Sequence, residues 1–309
     1  MPGMKSVGRF LALAALLTTL VGGAGAAQDR SLPEREAFLA EVRTRLASDR
    51  SLQSRYRYVE TRRDFKLDED GRPTDESVKV FENYPGLPGE GRWERLIVED
   101  GRPVPVEELA KQDRERAERA ETLARRQANA SDRDRARQLR DWEKHQRETV
   151  EAVDDVFRIY DIRMLGRDRI DGHDTIVFDL SPRPDADPRS DDGRIMRHFA
   201  ARAWISETDY ELVRVDAEAI DTVSIGWGLL ARVHPGARVS FTRRKVDGET
   251  WLPASSSYSG SARVGLVKVL HRSSTSEFSE YRRVDPSAPA SGLSPDGAAD
   301  AARTRRSAG

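Results

Sequence analysis

The sequence predicts an α+β protein organised around an antiparallel sheet. In residues 199–284, short segments rich in β-branched and aromatic residues alternate with turn-forming residues, a pattern typical of strands joined by hairpins. Two other segments carry a helical pattern, an amphipathic one near the amino terminus and a strongly charged one at about residues 106–155. The strands predicted in the organising stretch are 199–205, 210–220, 237–246, 250–258, 262–270 and 275–284.

Residues 1–27 are expected to be a cleaved secretory signal, which places the mature chain in the periplasm. Lys5 and Arg9 precede an apolar run at residues 10–21, and small residues stand at the cleavage positions before Ala27. An uncleaved anchor is the alternative. The chain has no cysteine, which excludes a lipid-anchored lipoprotein signal and makes folding independent of disulfides.

One domain is expected at residues 28–284, followed by a disordered tail at 285–309 that is rich in Pro, Ser, Ala and Gly. The domain begins with a helix at 33–48, which starts in a capping box and carries one apolar stripe. That stripe consists of Phe38, Leu39, Val42 and Leu46. Further strands are predicted at about 56–67, 76–84, 92–99, 156–165 and 175–181, and residues 182–193 are predicted to be a loop.

The charged insertion at about residues 106–155 is dominated by Arg, Glu, Asp and Ala. Residues 129–132 offer a break and a new N-cap, so the segment is either two helices or one kinked helix. Its apolar stripe is too thin to bury much area, which favours a solvated insertion. An arm that binds a partner is the alternative.

Composition and motifs argue against several classes of function. A formal net charge of -1 argues against broad nucleic-acid affinity, which needs a basic excess. The five histidines are scattered without metal-ligand spacing, and the lack of cysteine excludes thiolate catalysis. No nucleophile elbow, phosphate-binding loop or dinucleotide fingerprint occurs. We therefore expect no enzyme activity, no cofactor and no metal, with a hydrolase of envelope components kept as an alternative.

Aromatic residues of the predicted sheet and one apolar connection are the candidate ligand-binding residues. The aromatic residues fall in strands where they could share an inner face, either as ordinary core or as the lining of a cavity for an acyl chain. The connection at residues 220–236 is unusually apolar for a loop and could fold as core, as a short helix or as a movable cover. The candidates are Trp204, Phe241, Trp251 and Tyr258 in strands, with Ile225, Trp227, Leu229 and Leu230 in the connection.

Several short stretches together resemble the LolA-like superfamily of periplasmic proteins, which includes the outer-membrane lipoprotein-sorting proteins. Trp204-Ile205 precedes residues 210–215, and the sequences at 248–253 and 279–283 follow in the same order of strands and turns. This resemblance implies a curved antiparallel sheet, an unclosed half-barrel, with helices on its concave, apolar face. Members of the superfamily carry lipoproteins, bind other lipids or sense the state of the envelope. The charged insertion and the greater length depart from the compact carriers.

The expected function is therefore that of a periplasmic binding protein, which takes a lipid or the acyl group of a lipoprotein in the concave face of the sheet. The expected partner is a lipid or an acylated protein, with transient membrane contact and no nucleic acid. The alternative is an envelope interaction or stress-sensing protein that binds a protein partner through its charged helices.

Overall fold

The computed structural model describes residues 30–48, 55–68, 70–87, 92–225, 231–264 and 268–284. The expected signal at 1–27 and the expected tail at 285–309 lie outside these residues. The compact unit that begins at Pro33 contains every element named below.

The predicted α+β fold is confirmed: one large antiparallel sheet is accompanied by a few helices. Hydrogen-bonded neighbours follow the order β4-β3-β2-β1-β13-β12-β11-β8-β7-β6-β5, and β9 and β10 form a hairpin beside β12. Among the described residues, no pairing joins β4 to β5, so the sheet is an unclosed half-barrel. The strands are β1 (Tyr56–Leu67), β2 (Pro73–Tyr84), β3 (Trp93–Glu99), β4 (Arg102–Pro103), β5 (Tyr160–Ile170), β6 (His173–Pro182), β7 (Phe199–Ser206), β8 (Leu212–Ala219), β9 (Val223–Ile225), β10 (Ala231–Val233), β11 (Arg238–Val246), β12 (Thr250–Val264) and β13 (Lys268–Arg283).

Four helices lie among the described residues. They are α1 (Arg35–Ser48), α2 (Val106–Ala128), α3 (Asp132–Ile159) and α4 (Asp191–Met196). The first helix begins two residues after the expected Pro33, because the Glu34 carboxylate accepts hydrogen bonds from the backbone N–H groups of Glu36 and Ala37, at 2.9 and 2.7 Å. These bonds hold the pKa of Glu34 below its ordinary value.

The main core lies between α1 and the strands β5 to β7. Phe38 of α1 stacks on Phe178 of β6 with ring centroids 5.8 Å apart, and it contacts the ring of Tyr210 at 5.2 Å. Val42 and the last residues of α3 complete the same cluster. All four residues of the predicted apolar stripe of α1 belong to this core, so the stripe was predicted correctly.

The strand predicted at 156–165 is wrong in its first four residues. Residues 156–159 are the last turn of α3, and the strand begins at Tyr160. Both a strand pattern and a helix pattern fit Val156, Phe157 and Ile159. These residues are helical because the last turn of the helix lies partly buried in the core that α1 covers. The last three residues of the loop predicted at 182–193 are instead the start of the short helix α4.

The predicted division into strands at 250–258 and 262–270 is wrong. The first strand continues through Ser259-Gly260-Ser261 to Val264, so residues 262–264 belong to β12, whereas residues 268–270 are the start of β13. Gly260 is required inside β12 by close packing, since a Cβ at this position would lie 2.6 Å from the Cβ of Ala237. Sequence reasoning read this glycine as the end of a strand.

The charged insertion is two helices. Ser131 is the N-cap of α3 and forms a capping box with Asp134, which explains the break that the sequence indicated. The start of α2 docks on the sheet edge through Gln112, whose amide donates to the carbonyl of Leu96 at 3.1 Å and accepts from its N–H at 3.0 Å. Asp113 accepts two hydrogen bonds from Arg95, at 2.8 and 2.9 Å. The helix thus satisfies backbone groups on the edge of β3.

Asp155, near the end of α3, is fully buried and holds the turn before α4 in place. Its carboxylate accepts hydrogen bonds from the backbone N–H of Arg189 at 3.0 Å, from the N–H and hydroxyl of Ser190 at 2.7 Å each, and from Arg158. Burial acts to raise the pKa of Asp155, but the bonds from Ser190, Arg189 and Arg158 outweigh it and hold that pKa below its ordinary value.

We expect Phe38→Ala to lower the free energy of unfolding by about 3–5 kcal/mol, because it removes the ring that α1 buries against Phe178. Urea denaturation followed by circular dichroism measures this change. The exposed Glu41 of the same helix supplies the control, since Glu41→Ala should stay within about 0.5 kcal/mol. A loss for Phe38→Ala as small as that of the control would contradict the role given to α1.

We expect Asp155→Asn to lower the free energy of unfolding by about 2 kcal/mol at neutral pH, since it removes a charged acceptor of several buried hydrogen bonds. A carboxyl group whose pKa is lowered by folding contributes stability above its unfolded pKa of about 3.9 and loses that contribution as pH falls through the folded value. The difference between the two proteins should therefore shrink in urea denaturation at about pH 3.

Asp141→Asn is the matched control on the same helix, because Asp141 is exposed and lies 3.9 Å from Arg137. If the loss of unfolding free energy in Asp155→Asn did not change with pH, the charge of Asp155 would make no contribution to stability.

Candidate functional site

The face of the sheet that α1 covers continues into an apolar strip that is only partly covered. Residues paired directly across antiparallel strands lie on the same face, so the register traces a row of side chains from the core outward. One row starts at Phe178, in contact with α1, and runs across six strands. Its members in order are Phe178, Ala203, Val215, Phe241, Ser256 and Ser276.

A second row on the same face runs parallel to the first and has the same character. Its members in order are Leu180, Ala201, Ala217, Val239, Tyr258 and Ser274. Leu180 is buried in the core, whereas Val239 is 38% exposed. We call Val215, Ala217, Val239, Phe241 and Tyr258 the apolar strip; four of the five are half-buried and Val239 is exposed.

Helix length gives a geometric reason why the strip is only partly covered. A helix of 14 residues is about 21 Å long at 1.5 Å per residue, whereas eleven strands at about 4.8 Å spacing span about 48 Å. Whatever its direction, α1 can cover only part of this face. The described elements in contact with the core cluster on β5 to β7 include α1 and the end of α3.

The apolar strip is bounded by a small cluster at one end and by polar residues on its far side. Ala219, Val223 and Ala237 form the cluster, and Tyr258 packs against it. Burial raises the pKa of the Tyr258 hydroxyl. On the far side, the rows pass to Ser256, Ser274 and Ser276, where the sheet becomes hydroxyl-rich.

Beyond the serines, the same face carries a buried polar cluster around Glu60. Its carboxylate accepts from Arg62 at 2.9 and 3.1 Å, from the Asn83 amide at 3.2 Å and from the Ser276 hydroxyl at 2.8 Å. Arg62 also lies 4.6 Å from the centroid of the Phe81 ring. Because both carboxylate oxygens are already bonded, this cluster has the character of a structural network rather than of a reactive site.

Of the predicted ligand-binding residues, Phe241 and Tyr258 come together on the apolar strip, and Trp204 does not. Trp204 pairs with Arg214, which pairs with Thr242, so Trp204 faces the opposite side of the sheet from Phe241. Its indole N–H donates to Asp168 at 3.0 Å, and the Arg214 guanidinium lies 5.0 Å from the ring centroid.

Trp251 lies away from the strip, at the end of the sheet where the turn before β6 also lies. Its ring contacts His173 at 4.9 Å, and its indole N–H donates to Asp209 at 2.9 Å. Burial acts to raise the pKa of Asp209, but hydrogen bonds from Lys245 and Trp251 outweigh it and lower that pKa. Trp251 is thus a buried anchor for a turn.

The apolar connection at 220–236 is strand rather than helix in its described parts. Residues 223–225 and 231–233 pair with each other as β9 and β10, and β10 adds to β12. Val223 is buried in the small cluster next to Tyr258. Trp227, Leu229 and Leu230 lie outside the described residues, and the side chain of Ile225 is likewise not described.

Sequence reasoning missed Val215, Ala217 and Val239. The alternation of Val239 and Phe241 within β11 was visible in the sequence and could have indicated Val239. Val215 and Ala217 belong to the strip because β8 pairs with β11 in a register that places them opposite Phe241 and Val239. No local pattern in the sequence reveals that register.

A trough of about 610 Å³ is lined mostly by residues of the opposite face of the sheet, among them Arg202, Asp216, Glu218, Ser240 and Ser257. Ala217, Val239 and Tyr258 of the apolar strip also line it. Asp216 is already bonded to Arg214 and to the hydroxyl of Ser240, at 2.7 and 2.6 Å.

Among the described residues, no group of three or more His, Cys, Asp or Glu side chains is arranged to hold a metal ion. None of the helices in that part of the chain is both long and apolar enough to cross a membrane.

Comparison with known proteins finds similarity in structure only. No family model matches the sequence, and no curated protein matches it. A domain from Vibrio parahaemolyticus, assigned to outer membrane lipoprotein sorting, is 10% identical with a TM-score of 0.34 and covers 87% of this chain and 99% of its own.

Two other solved structures show the same kind of similarity. A DUF1329 family protein from Desulfovibrio piger is 13% identical with a TM-score of 0.28, and the match covers 82% of this chain and 94% of that protein. A LolA superfamily protein from Nitrosomonas europaea is 9% identical with a TM-score of 0.23 and has the same two coverages. The last of these structures is described as a member of the LolA superfamily, which is the superfamily that the sequence resembles.

Proposed function

We propose that this chain is an exported, non-enzymatic binding protein of the periplasm, which takes an acyl chain on the apolar strip. The single observation that carries the proposal is that the strip is only partly covered on the face that α1 covers: four of its residues are half-buried, and Val239 is exposed. Large apolar side chains left in contact with water on one continuous surface are typical of a binding site.

An acyl chain suits the strip better than a polar ligand does. The side chains of Val215, Val239 and Phe241 offer dispersion contacts and no hydrogen-bonding group. Each methylene that leaves water for this surface would contribute about 0.8 kcal/mol, so a chain of ordinary length could bind without any catalytic group.

The polarity of the two sides gives the ligand a direction. The core between α1 and β6 lies at one side of the strip, and Ser256, Ser274 and Ser276 lie at the other. We expect the apolar tail to point toward α1 and the polar end of the ligand to lie near the serines, whose hydroxyls can donate and accept. A lipid and the acylated end of a lipoprotein both fit this arrangement.

We expect Val239→Asp to weaken the binding of a fluorescent fatty acid by at least about tenfold, because a carboxylate on the strip would have to lose water when the chain binds. Fluorescence titration of the purified mature protein measures this change. Val239 is exposed, so the substitution should leave the circular dichroism spectrum and the unfolding midpoint nearly unchanged.

Thr242→Asp is the matched control, because Thr242 lies on the same strand but on the opposite face. The proposal requires this variant to bind the fatty acid as the unaltered protein does. Unchanged affinity in Val239→Asp, or an equal loss in Thr242→Asp, would overturn the assignment of the strip.

A further inference from the structure

The segment that joins α2 to α3 stands away from the sheet. Within residues 124–148, every described side chain except that of Ala130 is exposed. The last polar anchor of α2 is Arg116, which donates to the carbonyl of Pro85 at 3.0 Å. Since a helix rises 1.5 Å per residue, Ala128 lies about 18 Å farther along α2 than this anchor.

Two large apolar side chains of this segment face water. Leu139 is 56% exposed and Trp142 is 61% exposed. They are three residues apart in α3, so they lie on one face of the helix. Val150, 46% exposed, continues that face toward the core. A tryptophan and a leucine side by side, in a stretch of helix whose other large side chains are polar, need an explanation that fold stability does not supply.

The same segment is basic in a chain that is slightly acidic overall. Residues 125–147 contain eight Arg or Lys and four Asp or Glu, a net charge of +4, against -1 for the whole chain. The ion pairs here are exposed, such as Arg137 with Asp141 at 3.9 Å and Arg147 with Glu143 at 3.9 Å. Such pairs are weak in water and leave the positive field largely intact.

We propose that the elbow, defined as residues 125–147, contacts an anionic lipid surface, with Leu139 and Trp142 at the headgroup level. Arginine around a Trp and Leu pair on one helix is the composition of helices that lie on membranes. Tryptophan suits the interface because its ring is apolar and its N–H is polar. Basic side chains add attraction to acidic headgroups.

A membrane fits this surface better than a protein partner does. Leu139 and Trp142 are the exposed large apolar side chains in the described part of residues 125–147, and two such side chains make a small apolar core for a standard protein interface, which buries roughly 800 Å² per partner. A lipid surface needs no shape complementarity, and a protruding elbow can reach it while the sheet stays in water. The proposal does not depend on what the apolar strip binds.

The test is co-sedimentation of the full mature chain with vesicles of phosphatidylcholine alone or mixed with phosphatidylglycerol. We expect binding to the mixed vesicles, little binding to the neutral ones, and a steady loss as salt is added. The double variant Leu139→Ser, Trp142→Ser should lose at least about tenfold in affinity. Both positions are exposed, so its circular dichroism should match that of the unaltered chain.

Two control variants make the test specific. Val106→Ser changes an apolar residue that is 76% exposed at the docked end of α2, and it should bind mixed vesicles normally. Val239→Asp should also bind them normally, which separates the elbow from the apolar strip. Equal binding to neutral vesicles, or no loss in the double variant, would overturn the proposal. So would a concentration-dependent dimer that the double variant abolishes, because the face would then be a protein interface.

Discussion

Antiparallel pairing decides which side chains of this sheet share a face, since residues directly opposite each other point the same way. The register therefore joins Phe178 in the core to Phe241 and then to Ser276 in a single row. A shift of one residue in any of these pairings would send the apolar side chains to the polar face. The core, the apolar strip and the polar side of the sheet all depend on this alignment.

The face of the sheet that α1 covers contains three different environments. On β5 to β7, α1 and the end of α3 bury the apolar side chains, with Phe38 against Phe178. On β1, β2 and β13, buried polar groups satisfy one another around Glu60. The strands between them carry the apolar strip, whose residues are half-buried apart from the exposed Val239, and this strip is the ligand site that we propose.

Much of the fold could be predicted from local patterns, but the faces of the sheet could not. The stripe from Phe38 to Leu46 and the Ser131 break depend on neighbours within a few residues, and both were predicted. The end of α3 was misjudged because Val156 and Ile159 fit two periodicities. The sequence allowed Trp204 and Phe241 to share one face, yet pairings between distant strands place them on opposite ones. Register of this kind depends on long-range packing, which a single sequence does not display.

Lipid extraction and mass spectrometry, applied to protein purified from the periplasm without detergent, test most directly whether the apolar strip is a binding site. The account predicts an acyl-bearing species in near-stoichiometric amount, and a reduced amount when Val239 is replaced by Asp. An extract free of such lipids, still free after the protein is incubated with envelope lipids, would contradict it.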